Sequence, residues 1–329
     1  MKKTNIIGAD LSKKTIDLHC HDTKTHFVIS NNLIGFKSMV KWIVQRSILL
    51  NDVVIVMEHT GLYSYCFEEF LHANDVKFTK VTALEIKLSM GVFRGKSDKI
   101  DAKKIAHFGN EKITKLKLSQ PVEKDVKRLQ MLMSSKNLLV KQRAALLCST
   151  KEYQNIGLSD KDLILKAQLV VIKELTKQID LLEAEIDLII KTNLSLNNSY
   201  QLLTSIKGVG PVIAITTIIK THNFQRFENA RKFACFCGTA PFPNESGSSI
   251  KKRTKISHLA DKQMKALLDQ GAKSALLYDK ELKNYYESRL AKGKSKMSTI
   301  NIIRNKIIAR MFAVIKRQKP FVEKYLAAA

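Results

Sequence analysis

The chain has 329 residues, enough for about two domains of ordinary size, and with 45% hydrophobic and 26% charged residues it is neither disordered nor collagen-like. Its 56 Lys and Arg against 30 Asp and Glu leave a formal charge of +26, which calls for a polyanionic partner: nucleic acid first, an anionic membrane surface second. No stretch approaches the roughly 18 apolar residues of a membrane span, and MKKTNIIGADLS lacks the apolar core of a signal peptide, so a cytoplasmic, prokaryotic location is expected. The five cysteines (Cys20, Cys66, Cys148, Cys235, Cys237) lack zinc-site spacing; most lie in apolar runs and read as reduced core thiols.

In chain order, TNIIGADLS, TIDLHCHD and THFVISNN are short β-branched runs with little between them, as in three consecutive antiparallel strands. FKSMVKWIVQRSIL then has helical spacing, with Phe36, Met39, Val40, Ile43 and Val44 on one face. DVVIVME is a continuous apolar run, as in a strand covered on both faces. A helix around YSYCFEEFLHAND, a strand at VKFTKVT and a helix from about Asp98 complete a mixed α/β sheet over residues 1–120.

Residues 121–199 read as helical throughout. Ile172, Leu175, Ile179, Leu182, Ile186 and Ile189 have the 3-4-3-4-3 spacing of a coiled-coil seam, antiparallel within the chain or between two chains. Such an element would hold its flanking domains apart and offers a route to a homodimer. Residues 200–329 are mostly helical, interrupted at 207–211 and 238–247. The charge is uneven: +7 over residues 1–120, +2 over 121–200, +3 over 201–250 and +14 over 251–329. A phosphate backbone should therefore be held most strongly by the last quarter, and the membrane alternative drops out.

Four carboxylates fall on three elements. Asp10 ends the first strand, Glu58 ends the fourth, and Asp98 and Asp101 are spaced i, i+3 near the start of a helix. With strands one and four as neighbours, all four point to one place. Clustered like charges are unfavourable unless cations neutralise them, and two Mg²⁺ or Mn²⁺ ions would do so while accepting phosphate oxygens. Each acid alone has a plainer role: a turn residue at Asp10, a surface acid at Glu58, a helix cap at Asp98.

GADLSKKTID, VVIVMEHTGLY and RGKSDKIDAKKIAHF together resemble the signature segments of the DEDD transposases of insertion-sequence family 110, a family that includes Piv-type DNA invertases and bridge-RNA-guided recombinases. The resemblance covers nearly the whole chain. It implies a RuvC-like ribonuclease H fold at the N-terminus and a metal-binding tetrad of Asp10, Glu58, Asp98 and Asp101. It also implies DNA as substrate, a noncoding guide RNA as a further partner, and a dimer that pairs into a tetramer at synapsis.

Further on, QLLTSIKGVGPVIAITTII has the helix-hairpin-helix pattern, in which Gly208 and Gly210 present backbone N–H groups to a phosphate. The family segment reads LxxIPGIG, with Lys207 here in place of proline, a change that adds phosphate affinity. FACFCGTAPFPNESGSSIKKRTKIS places a serine before glycine, followed at once by Lys251, Lys252, Arg253 and Lys255. By resemblance Ser246, set by its spacing from Pro241 and by Gly247, is the nucleophile that forms a covalent link to DNA; Ser248 and Ser249 are neighbouring alternatives. A serine needs help to react, from proton removal or from metals. The family's following isoleucine-serine-lysine and glycine-asparagine are replaced here by Ile256-Ser257-His258-Leu259-Ala260-Asp261. Tyr278, Tyr285 and Tyr286 suit packing better than attack.

Ser246 lies far along the chain from the acids, so the layout suggests one active site assembled from two domains, in cis or in trans. The expected protein is an insertion-sequence transposase or recombinase with an α/β N-terminal domain, a coiled-coil middle and a helical C-terminal domain. Rival readings are a RuvC-like junction-resolving nuclease, a site-specific DNA invertase and a non-catalytic nucleic-acid-binding protein. An actin-like kinase, whose first phosphate loop also reads like GADLSKKT, would need a second phosphate loop and a Gly-rich adenosine motif that the chain lacks.

Overall fold

The computed structural model describes residues 4–91, 97–246 and 250–322. Residue contacts divide the chain into two units, 1–121 and 122–329.

In the first unit, β1 (Asn5–Leu11), β2 (Thr15–Cys20) and β3 (Thr25–Ser30) form the expected antiparallel meander, followed by α1 (Leu33–Val44), β4 (Val53–Glu58), α2 (Tyr65–Ala73) and β5 (Lys77–Val81). A short α3 (Ala83–Met90), which the sequence reading passed over, precedes α4 (Asp98–Glu111). The sheet order is β3-β2-β1-β4-β5, with β4 parallel to both of its neighbours. This mixed sheet is compatible with a ribonuclease H-like domain.

The two faces of the sheet are packed differently. Ile7, Ala9, Ile16, Leu18, Ile55, Met57 and Phe78 bury one face against Phe36, Met39 and Ile43 of α1 and Phe67 and Leu71 of α2. The other face packs Ile6, Val54, Val56 and Val81 against Ile105 and Phe108 of α4. Glycine lets this helix lie unusually close. A Cβ at Gly8 would stand 2.2 Å from the Ala102 carbonyl oxygen and 2.3 Å from the Ala106 nitrogen. A Cβ at Gly109 would meet Val56 Cγ2 at 2.6 Å. Strand and helix are thus in backbone contact at Gly8.

In the second unit, α5 (Lys124–Asn155) and α6 (Leu163–Thr192) form a long antiparallel hairpin. The apolar seam is filled from within the chain: Ile179 and Ile186 are buried and Leu182 packs beside them, while Lys136 pairs with Glu183 at 2.6 Å across the two helices. Of the two partners open to the seam, α5 takes the place. The base of the hairpin shares a core with α7 (Leu194–Thr204), α8 (Pro211–Thr221), α9 (Ala230–Phe236), α10 (Lys262–Tyr278), α11 (Lys280–Ala291) and α12 (Lys296–Arg317).

Between α9 and α10 the chain forms an antiparallel β-hairpin, β6 (Pro241–Ser246) and β7 (Ile250–Ile256), where sequence reading expected only an interruption. All five cysteines are free thiols: Cys20 and Cys237 are buried and Cys235 packs against the core, as expected of most of them, whereas Cys66 and Cys148 lie on outward faces of their helices.

Replacing Gly8 with alanine should force α4 off the sheet. Overpacking at such a contact costs about 1–3 kcal/mol, to be measured by denaturant unfolding. An unchanged unfolding midpoint would show that the contact yields without strain.

Candidate active site

Strand register brings Asp10 and Glu58 together. β1 and β4 run parallel with Ala9 opposite Met57, so the next residues, Asp10 and Glu58, are neighbours on one face near the C-terminal ends of both strands. That face is the one covered by α4. Ser97 caps α4, its hydroxyl accepting the N–H of Ile100 at 3.3 Å. Capping therefore does not account for Asp98, the plainer role weighed for it. Asp98 and Asp101 lie in the first turn, where the amide dipoles favour negative charge.

The acids feel one another. Burial first, then the charges of Asp98, Asp101, Glu58 and Asp17, push the Asp10 carboxyl up to about 6. Burial and Asp101 likewise hold Glu58 above its ordinary value. Lys104 Nζ stands 2.8 Å from Asp101 Oδ1 and partly offsets the charge there. Among the described residues, no three His, Cys, Asp or Glu side chains form a ready-made ion-binding cluster. The chemistry of the donor set nonetheless fits a hard divalent cation: mutually repelling carboxylate oxygens, partly desolvated at a strand end.

Two residues here escaped the sequence reading. Asp17 faces Asp10 across the antiparallel pair β1–β2, is 8% exposed, and bonds His26 Nε2 at 2.7 Å. Its signal was an acid in the apolar run TIDLHC. Asn31 ties together the loops that follow the two acid-bearing strands. Its Nδ2 donates to the carbonyls of Ser12 at 2.8 Å and Tyr63 at 3.0 Å, and its backbone N–H donates to Lys14 O at 2.8 Å.

In the second unit, Ser246 is the last residue of β6, in register with Ile250. Ser248 and Ser249 lie outside the described residues, as does Gly247. In the strand register of the hairpin the backbone of Glu245 stands opposite that of Lys251, Asn244 opposite Lys252 and Phe242 opposite Lys255. The run from Lys251 through Arg253 to Lys255 is therefore a strand beside the serine strand. The hairpin base is fixed by α12: Asn301 and Asn305 Nδ2 donate to the carbonyl of buried Thr239 at 2.8 and 2.9 Å. No local motif announces these two asparagines, because their contacts span more than 60 residues. Tyr285 and Tyr286 pack on the core, in keeping with the packing role expected of them.

The two glycines of the α7–α8 turn differ. Gly208 has φ of +90°, and a Cβ there would lie 2.5 Å from Gly271 O of α10; its glycine character is accounted for by packing. Gly210 caps α8 ahead of Pro211, and a Cβ there would meet open space.

Two family models match this chain: a DEDD transposase model of the IS110 type over residues 7–153, and a model described as the transposase IS116/IS110/IS902 family over residues 200–287. The chain belongs to the IS110-type transposase family. Two pilin gene-inverting proteins, from Moraxella bovis and Moraxella lacunata, are each 26% identical to it over 98% of both chains. It is accordingly an enzyme acting on DNA, a transposase or recombinase, and its DEDD-type domain implies dependence on a divalent metal. Among the described residues, no helix of this transposase is long and apolar enough to cross a membrane.

The raised Asp10 value has a definite sign in stability. The folded protein keeps this proton to about pH 6, whereas the unfolded chain releases it near 3.8. Ionisation is therefore harder in the folded state, and stability from this group falls as pH rises through that window. Asp10→Asn should flatten the fall and raise the metal-free melting temperature at neutral pH by a few degrees. Divalent metal should stabilise the wild type more than this variant. A variant less stable than wild type without metal would contradict the repulsion.

Proposed function

We propose that the chain cuts and rejoins DNA through a serine-linked intermediate, with Asp10, Glu58, Asp98 and Asp101 holding two Mg²⁺ or Mn²⁺ ions. The observation that carries this reading is the convergence of β1, β4 and the α4 N-terminus, which leaves Asp10 and Glu58 desolvated and mutually repelled. Bound ions supply Lewis-acid stabilisation to phosphoryl oxygens. Asp10 and Glu58 set the position of those ions from adjacent strand ends; Asp98 and Asp101 close the set from the helix.

Ser246 acts as the nucleophile. Its oxygen bonds to the scissile phosphorus as the bond to the leaving deoxyribose oxygen breaks, and the serine proton ends on that oxygen. The phosphoserine linkage preserves the phosphodiester for rejoining to a new strand end, which hydrolysis would not. The place of Ser246 at the end of β6, beside the basic strand from Lys251 to Lys255, supports this role, since cations there can hold the phosphate under attack. Lys207, Gly208 and Gly210 are proposed to contact backbone phosphate at the α7–α8 turn, with Gly210 the better placed of the two glycines.

A noncoding guide RNA is proposed as a second nucleic-acid partner, held through phosphate contacts by the surplus of +26. Site-specific DNA inversion is the alternative outcome of the same chemistry, favoured by end-to-end similarity to proteins named for inverting a pilin gene.

Incubated with its element's ends, the wild type should leave a detergent-resistant protein–DNA adduct. Ser246→Ala should leave none; an adduct formed by that variant would reassign the nucleophile. For RNA, transcripts of the sequences flanking the gene should outcompete unrelated RNA of equal length, and equal competition would remove the guide from the reading.

A further inference from the structure

The edge of the sheet that carries Asp10 and Glu58 also carries groups the proposed chemistry does not use. Beyond β1, the turn between β1 and β2 presents Lys13 and Lys14 to solvent. Beyond β4, the chain turns through Gly61, at φ of +67°, and exposes Leu62 (76%) and Tyr63 (49%). An apolar and an aromatic side chain thus stand in water only a few residues after Glu58, where they offer a flat apolar face to a ligand.

These two segments are joined through one residue. Asn31 bonds three carbonyls, those of Ser12 and Lys14 on the basic turn and that of Tyr63 on the aromatic loop. Ser64 steadies the far side of the loop, its hydroxyl donating to Glu68 Oε1 at 2.6 Å. The backbone of a turn with two exposed lysines is thereby linked to that of a loop with an exposed leucine and tyrosine. Cations that track a phosphate backbone beside a ring that takes up a base are the two parts of a single-strand binding surface.

We propose that Lys13, Lys14, Leu62 and Tyr63 form a platform for an unpaired nucleic-acid strand, with Tyr63 stacking on a base and the two lysines on adjacent phosphates. It rests on the DNA-recombinase reading of the same edge and adds to it a site for the strand that must leave the duplex when strands are exchanged. The shared chemistry is an unpaired base on its sugar-phosphate backbone, and the occupant is the DNA strand next to the cut.

The test uses the full-length protein, without divalent metal, and short single-stranded oligonucleotides carrying 2-aminopurine, in deoxy and ribo forms. The wild type should quench the fluorescent base. Tyr63→Ala should lose the quenching and weaken single-strand binding about tenfold, whereas Tyr63→Phe should keep both and duplex affinity should be unchanged. Lys13→Ala with Lys14→Ala should lower the salt dependence of binding and leave the quenching in place at low salt. Stronger binding of the deoxy form identifies the occupant as DNA; stronger binding of the ribo form overturns that assignment. Quenching and affinity unchanged in Tyr63→Ala, in a protein that still forms the serine adduct, would overturn the platform alone. Loss of metal-dependent DNA cleavage in no acid variant would overturn the underlying reading instead.

Discussion

Everything about the acidic site depends on how close α4 lies to β1. A helix packed on a sheet through ordinary side chains stands about 10 Å away; α4 lies closer than that at Gly8, which presses the acids of its first turn toward the one on the strand. The missing side chain at Gly8 lets backbone meet backbone, and Gly109 repeats the device further along the helix. Hydrophobic burial then works for the site: Ile105 and Phe108 pull the helix down on Ile6, Val54 and Val56, and the acids follow.

The resulting geometry is unfavourable for the protein alone. The charges of Asp98, Asp101, Glu58 and Asp17 raise the affinity of Asp10 for its proton, and Asp101 does the same to Glu58; among the described residues, Lys104 at Asp101, His26 at Asp17 and the helix dipole at Asp98 offset the charge. A fold selected only for stability would place such residues apart. The strain is held by a core built on the opposite face of the sheet, where α1 and α2 bury large aliphatic and aromatic side chains. Stability and electrostatic preparation are thus assigned to the two sides of one layer.

Much of this was legible in the sequence because it depends on local patterning. Alternating and continuous apolar runs gave the strands, and the short links between the first three implied a meander with β4 beside β1. The acids were visible because they end those runs. What stayed hidden depends on contacts between distant residues. Gly8 looks like any glycine in a strand until Ala102 and Ala106 are known to lie over it. The seam of α6 was plain in the heptads, but heptads do not say which helix fills them; α5 has charge and polarity scattered on all sides, and only folding shows it to be the partner. The β6–β7 hairpin was missed for a related reason: KKRTKI carries almost no apolar alternation, so nothing marks it as a strand before its pairing with β6 is seen. Asn301 and Asn305, which fix the base of that hairpin, lie in a helix whose pattern shows only its apolar face.

The contact between Gly208 and Gly271 is reciprocal. A methyl group on the first would strike the carbonyl oxygen of the second at 2.5 Å, and one on the second would strike the carbonyl oxygen of the first at 2.6 Å. Neither obstacle is a side chain, so neither can be trimmed by a compensating mutation at the other position. Two steps that each fail alone also fail together, and such a pair offers no route for drift. The turn between α7 and α8 is therefore bound to α10 for as long as the fold persists, whatever else changes on the surface around it.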